Sequence, residues 1–275
     1  MVEPARVAQP AGVGRSVFAQ ELSTIDVLVR RDVKRFFREK SRVVGALIQP
    51  LVFWLVIGSG MSSTFRLPGA DGVDYLEYFY PGVVVMVLLF TAIFTTMSVI
   101  EDRSSGFLQA VLVSPGSRTS VVLGKCSGAA AVALVQGLLF LLLAPVAGFP
   151  FADISWAVVL PALVMTCFSL CALGFAVAWW LDSTAGYHVV MSLVLLPLWI
   201  LSGAMFPGSS GAIELIQRCN PMAYAVSAVR RGLYGGSAPE ASLLSGSNVV
   251  LELSVLVLFC VVVALAAVRV CHRQR

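Results

Sequence analysis

Five stretches of this chain run for more than twenty residues without an Asp, Glu, Lys or Arg: Val43 to Phe65, Tyr78 to Ile100, Cys126 to Ala152, Ile154 to Leu181 and Ser183 to Ile213. A sixth apolar run covers about Val249 to Val268, with Glu252 near its start. A helix needs about 20 apolar residues to cross the hydrocarbon of a bilayer. Six membrane-spanning helices are therefore the most economical count, with the fifth stretch longer than one crossing requires.

Polar punctuation between the spans predicts what surrounds them. The second span is followed by Glu101-Asp102-Arg103-Ser104-Ser105-Gly106-Phe107-Leu108. Three consecutive charges cannot sit cheaply in hydrocarbon, so they mark the end of the span. Phe107, Val111 and Ser114 then recur at helical spacing, enough for one or two turns before Ser114-Pro115-Gly116 stops them. A short surface helix with an apolar side invites a protein partner. Arg118 to Lys125 leads back into a third span whose Gly124, Gly128 and Ala129 to Ala131 make a small-residue face suited to close packing.

Upstream of the first span, Leu22, Ile25, Val29, Val33 and Phe36 recur every three or four residues, with Arg30, Arg31, Lys34, Arg35 and Arg38 on other faces. This predicts a basic amphipathic helix over residues 20–42, lying along the inner leaflet. Residues 1 to about 18, rich in Pro, Gly and Ala, are expected to be disordered. The chain thus divides into a segment 1–42, a bundle 43–269 and a tail 270–275.

At the opposite end, Gly58-Ser59-Gly60 invites a close helix contact, and Pro68-Gly69 and Asp71-Gly72 predict a loop. Tyr75, Tyr78, Phe79 and Tyr80 form an aromatic collar, suited to an interfacial belt or to cargo contact. Residues 209–236 fit two short interfacial or re-entrant helices broken at Asn220-Pro221. Their Arg218, Arg230 and Arg231 are expected to meet lipid phosphates or an anionic cargo.

Composition agrees: 58% of the 275 residues are hydrophobic and 12% charged, and the mean hydropathy is +0.89. Such a chain is an integral membrane protein. Fifteen of the nineteen basic residues fall before the first span, around the hinge or in the tail. Basic residues stay on the cytoplasmic side of short loops, which puts both termini in the cytoplasm. The net charge of +4 reflects that topology, and no nucleic-acid footprint is present. The six cysteines read as small apolar fillers; Cys167 and Cys171 share a helix face without a nearby His or carboxylate.

The chemistry that is missing narrows the function. The run from Gly116 to Gly124-Lys125-Cys126 has the wrong spacing and final residue for a Walker A phosphate loop. His188 and His272 lie far from any nucleophile arrangement. An ion-coupled carrier needs ionisable groups near the bilayer centre, whereas the first five spans read as free of charge.

Glu101-Asp102-Arg103 to Gly106-Phe107-Leu108, then Leu112-Val113-Ser114-Pro115 to Ser117-Arg118 and Leu123-Gly124-Lys125, resembles the cytoplasmic loop of ABC-2-type permeases. Leu201-Ser202-Gly203-Ala204-Met205-Phe206-Pro207 and Asn220-Pro221-Met222-Ala223-Tyr224 to Arg230-Arg231 are similar to that family's fifth-span ending and outer segment. The family includes the membrane subunits of daunorubicin-resistance and lipo-oligosaccharide nodulation exporters. The resemblance implies an all-α permease of the cytoplasmic membrane, pairing with a second copy or a related permease and with two ATPase subunits. ATP would bind the partner, leaving no cofactor in this chain. It also implies a coupling helix built from Glu101, Asp102, Arg103, Gly106, Phe107, Leu108, Val111, Leu112 and Arg118, with Arg31, Lys34, Arg35 and Arg38 completing the docking site. The expected cargo is hydrophobic or amphiphilic, a drug or lipid, with a polysaccharide or lipo-oligosaccharide as the alternative.

Overall fold

The computed structural model describes residues 17–62, 72–113, 117–206 and 211–273. Residues 1–16, the Pro68-Gly69 loop, Ser114-Pro115-Gly116, Pro207 and the last two residues lie outside them. The described residues form eleven α-helices and no strand. In order they are α1 (Val17–Arg38), α2 (Lys40–Met61), α3 (Tyr75–Thr96), α4 (Ser98–Ser104), α5 (Phe107–Val113), α6 (Arg118–Leu141), α7 (Trp156–Trp180), α8 (Thr184–Trp199), α9 (Ala212–Cys219), α10 (Pro221–Leu233) and α11 (Val249–Arg273). Six stretches are long and apolar enough to cross a membrane: Val43–Met61, Tyr75–Ser104, Arg118–Leu141, Trp156–Trp180, Thr184–Ala204 and Val249–Arg273.

The second span is the pillar of the bundle. In its most apolar stretch 83% of the residues are buried, against 17–22% in the first, fifth and sixth spans. A helix that is apolar on every side is stable only when surrounded, and α3 packs against α2, α6, α7, α8 and α10. The peripheral spans instead turn Ile48 and Val56 of α2, Val189 and Leu193 of α8, and Val250 and Leu258 of α11 outward. Lipid tails satisfy such faces.

The aromatic collar departs from the expected interfacial belt: Tyr75, Tyr78, Phe79 and Tyr80 are all buried. Their rings pack against helices instead of lipid, and each phenol finds a backbone carbonyl, as a buried hydroxyl must. Tyr75 donates to Met205 O at 2.9 Å, Tyr78 to Gly203 O at 2.8 Å and Tyr80 to Phe140 O at 2.8 Å. Two of these acceptors lie where α8 loses its regular hydrogen bonding. Past Pro197 it widens over Ile200–Ala204, and Gly203 adopts φ 80, a left-handed conformation favoured by glycine. The carbonyl of Leu198 is taken by Asn220 Nδ2 at 2.6 Å, so the irregular turn is satisfied within the protein.

The amphipathic helix is shorter than predicted, ending at Arg38 before a break at Glu39, and it faces protein. Leu28 and Phe36 are buried while Leu22 is half exposed. The contact is made by the small-residue face of the third span. A Cβ on Gly124 would come within 2.9 Å of Leu28 Cδ1 and 3.3 Å of Ile25 Cα; one on Gly128 would lie 3.3 Å from Val29 Cα. Gly58 similarly abuts Leu76 of α3.

Gly124→Leu and Gly128→Leu should push α1 off α6, costing about 1–3 kcal/mol and exposing α1 to protease. Gly45, with nothing within 4 Å of its Cβ position, is the control. Thermal unfolding in micelles with limited proteolysis checks this, and Gly45→Leu should behave as the parent.

Candidate functional site: the charged elbow

The hinge proves to be the end of the second span. α3 passes into α4 across Met97, and the span runs to Ser104. Glu101, Asp102 and Arg103 therefore lie in helix, and the reading of spans without charge is corrected here: Asp102 and Lys125 are 2% exposed. Burial of a carboxylate is tolerable only with cations in bonding reach. Asp102 Oδ2 accepts from Arg31 Nη1 at 2.8 Å and from Lys125 Nζ; Oδ1 accepts from Arg31 Nη2 at 2.7 Å and Arg35 Nη1 at 2.9 Å. Asp32 holds Lys125 from the other side at 2.9 and 3.1 Å. Glu101 takes Arg35 Nη2 at 2.6 Å. The result ties α1, the second span and α6 together through one network of nearly balanced charge.

The hydrogen bonds to Asp102 raise the pKa of Arg31, with burial opposing and the charges of Asp102 and Asp32 adding to them. The same guanidinium lies over the Phe107 ring, 3.6 Å from its centroid, a cation–π contact. Phe107 is thus half-buried beneath α1 and Leu108 is buried. Val111 is also partly covered, Gly106 makes the turn with φ 76, and the side chain of Leu112 lies outside the described residues. The outward side of the elbow is small and polar instead: Ser104, Ser105, Gln109 and Ala110 are exposed.

The two remaining arginines reach farther. Arg103 donates to the carbonyls of Trp179 and Leu181, the latter at 2.6 Å, and pairs with Asp182. A cation on the orphan carbonyls at a helix C-terminus is stabilised by the helix dipole, so Arg103 caps α7. Arg118 donates to Cys271 O at 3.1 Å in the last turn of α11. On the exposed side of α1, Arg31, Lys34, Arg35 and Arg38 line one groove with Glu39.

Seven of the thirteen residues expected at the docking site are thus joined by described polar or cation–π contacts: Glu101, Asp102, Arg103, Phe107 and Arg118 of the elbow region, and Arg31 and Arg35 of α1, while Lys125 and Asp32 enter unannounced. Asp32 carried a readable signal, since it lies four residues from both Leu28 and Phe36 within the buried stripe. Lys125 likewise follows a glycine on the small-residue face.

The ABC-2 type transporter family profile matches residues 24–234. The chain belongs to the ABC-2 type transporter family. It is 25% identical over 254 residues to the transport permease ycf38 of Cyanophora paradoxa, covering 88% of this chain and 86% of that protein. It is 24% identical over 209 residues to nodulation protein J of Rhizobium meliloti (strain 1021), covering 74% and 79%. With nodulation protein J of Sinorhizobium fredii the figures are 25% over 239 residues, 84% and 86%. The chain is a multi-pass membrane transport permease.

Asp102→Asn leaves two arginines and a lysine undercompensated and should cost about 3–5 kcal/mol. Glu101→Gln, at the solvent edge, should cost at most about 1 kcal/mol. Unfolding in mixed micelles by titration with sodium dodecyl sulfate compares them; equal losses would contradict the assignment.

Proposed function

We propose that this permease is the membrane half of an ATP-binding-cassette exporter of the cytoplasmic membrane, driven by ATP hydrolysis in a partner chain. Two copies of that ATPase dock at the elbow end, which faces the cytoplasm with both termini, and a second copy of the permease completes the pathway. The observation that carries this reading is the reach of the elbow. Over Glu101 to Arg118 it is bonded to α1, α6, α7 and α11, so a push on so short a segment is delivered to the ends of four helices.

The partner meets Ser104, Ser105, Gln109 and Ala110, with the groove of Arg31, Lys34, Arg35 and Arg38 taking acidic groups beside them. Glu101, Asp102 and Phe107 transmit the load through α1. Closure of the ATPase dimer turns the second span relative to the fifth and shifts the balance between inward-closed and outward-open arrangements by differential binding. The cargo is a hydrophobic or amphiphilic drug or lipid. The nodulation proteins among the relatives favour, as a second reading, a lipo-oligosaccharide carried by the same machinery.

Reconstitution with a cognate ATP-binding-cassette subunit tests the reading in vesicles. Uptake of labelled amphiphile into inverted vesicles should require ATP and that subunit, and Ala110→Trp should abolish both uptake and co-purification of the ATPase while leaving the permease's Tm unchanged. Uptake driven by a proton gradient without the ATPase would overturn it.

A further inference from the structure

The fifth span meets its neighbours along one narrow stripe. Tyr187, Met191, Leu195 and Trp199 are the buried residues of α8, and their spacing of four puts them on a single face, while Val189 and Leu193 between them are exposed. The stripe is anchored unequally. At its outer end Trp199 Nε1 donates to Gly82 O at 2.8 Å, a Cβ on Gly82 would come within 2.7 Å of Ala204 Cβ, and Tyr75 and Tyr78 bond the widened turn. Arg230, expected at lipid phosphates, joins this cluster instead: it is 2% exposed, and its Nη2 donates to Gly203 O and Tyr78 O, both at 3.2 Å.

The inner end has a single polar anchor. The Tyr187 hydroxyl lies 2.5 Å from Thr96 Oγ1 of the second span, and Thr96 Oγ1 lies 2.5 Å from Ala92 O. Threonine has one hydroxyl hydrogen and a carbonyl can only accept, so Thr96 donates to Ala92 and Tyr187 donates to Thr96. Both side chains are buried, and among the described residues no other hydrogen bond joins the first half of α8 to another helix. The bond sits over Gly174 of α7, where a Cβ would come within 2.8 Å of Tyr187 Oη and closer still to Thr96 Oγ1. Beside it the His188 ring stacks on Phe94 with centroids 5.7 Å apart. Going inward from Tyr78, Phe94 is the first residue of the second span that is not buried. A hydrogen bond between helices in a bilayer contributes modestly, enough to hold one end and weak enough to release.

We propose that Tyr187 and Thr96 form a latch, seated on Gly174, that holds the elbow-side end of the fifth span against the second. When the bond opens, α8 swings about the close contact of Gly82 with Trp199 and Ala204, and the seam between Phe94 and His188 parts on the elbow side of the bilayer. The widened turn at Ile200–Ala204, next to that pivot, absorbs the change of angle. That the swing serves export rests on the exporter reading; the latch belongs to the permease alone and operates without the ATPase.

Pulsed dipolar distances within one copy of the purified permease, spin-labelled in lipid nanodiscs without ATPase or ATP, provide the test, with Cys219 and Cys260, the cysteines that are not buried, replaced. Val27 to Val189 reports the inner end of the fifth span and Val27 to Phe206 the outer end; all three positions are exposed. Tyr187→Phe keeps the ring and removes the bond. It should broaden the Val27 to Val189 distribution and raise its minor population roughly twofold to tenfold, the range set by one hydrogen bond. Gly174→Ala leaves both partners in place and wedges them apart, and should give the same second distance at a higher population. The double variant Thr96→Val, Tyr187→Phe should match Tyr187→Phe alone. Tyr80→Phe removes an equally buried phenol bond, to Phe140 O, and should leave Val27 to Val189 as in the parent. Val27 to Phe206 should be unchanged throughout. A parental Val27 to Val189 distribution in folded Tyr187→Phe and Gly174→Ala would overturn the latch, as would equal broadening in Tyr80→Phe. A Val27 to Phe206 shift as large as that of Val27 to Val189 would overturn the pivot. Because ATP is absent, failure of ATP-driven export would leave this result standing, and failure here would leave the export reading intact.

Discussion

A carboxylate withdrawn from water has to be answered by cations, and Asp102 is answered by three. That requirement arranges the elbow end of the molecule. Arg31 and Arg35 can reach Asp102 only if α1 lies against α6, and α1 can lie there only because Gly124 and Gly128 leave room for its backbone. Lys125, held between Asp32 and Asp102, closes the network from the third span. Replacing such a cluster with apolar side chains is often neutral for stability, whereas removing one member is costly. Its effect is therefore on geometry: α1, the end of the second span and the start of the third take one arrangement together.

The rest of the bundle extends that constraint to the other end. The second span is enclosed along its length, so the position of Asp102 and that of Tyr75 and Tyr78 are set by one helix. At the far end those tyrosines bond the widened turn of α8, and Arg230 joins Tyr78 and Gly203 to the loop carrying Ser242. The fifth span, loosely packed and kinked after Pro197, is held mainly there. A stiff, buried pillar beside a peripheral helix with an irregular turn is an arrangement in which relative rotation strains few contacts. It gives the proposed transmission from elbow to exit a physical route.

How much of this was readable from the residues depended on the range of the interaction. The spans were legible because each is set by its own composition, and α9 and α10 because Asn220 caps and Pro221 starts a helix by local rules. The fate of the collar was not legible: a tyrosine beside a span looks the same whether its neighbour is a lipid or a carbonyl 125 residues away, as for Tyr78 and Gly203. Nor were the caps supplied by Arg103 and Arg118, whose acceptors lie 76 and 153 residues off. Unpaired charge ends a span, so the charges at 101–103 read as the end of the second one; the partners of Glu101 and Asp102 on α1 and α6, and of Arg103 at the end of α7, allow the helix to continue. The residues expected to meet a partner directly, Phe107 and Leu108, are turned inward because Arg31 and the core compete for them.

An ion-pair network of this kind should make α1, the elbow and the helix ends it caps move as a single rigid block. Spin labels at the exposed positions Val27 of α1 and Trp180 of α7, with a second pair at Val27 and Leu193 of α8, measure this by pulsed dipolar distances within one copy, with the ATPase bound, before and after ATP. The Val27 to Trp180 distance should stay unchanged and narrow while Val27 to Leu193 shifts. A Val27 to Trp180 distance that moves or broadens as much as the second pair would contradict the rigid block.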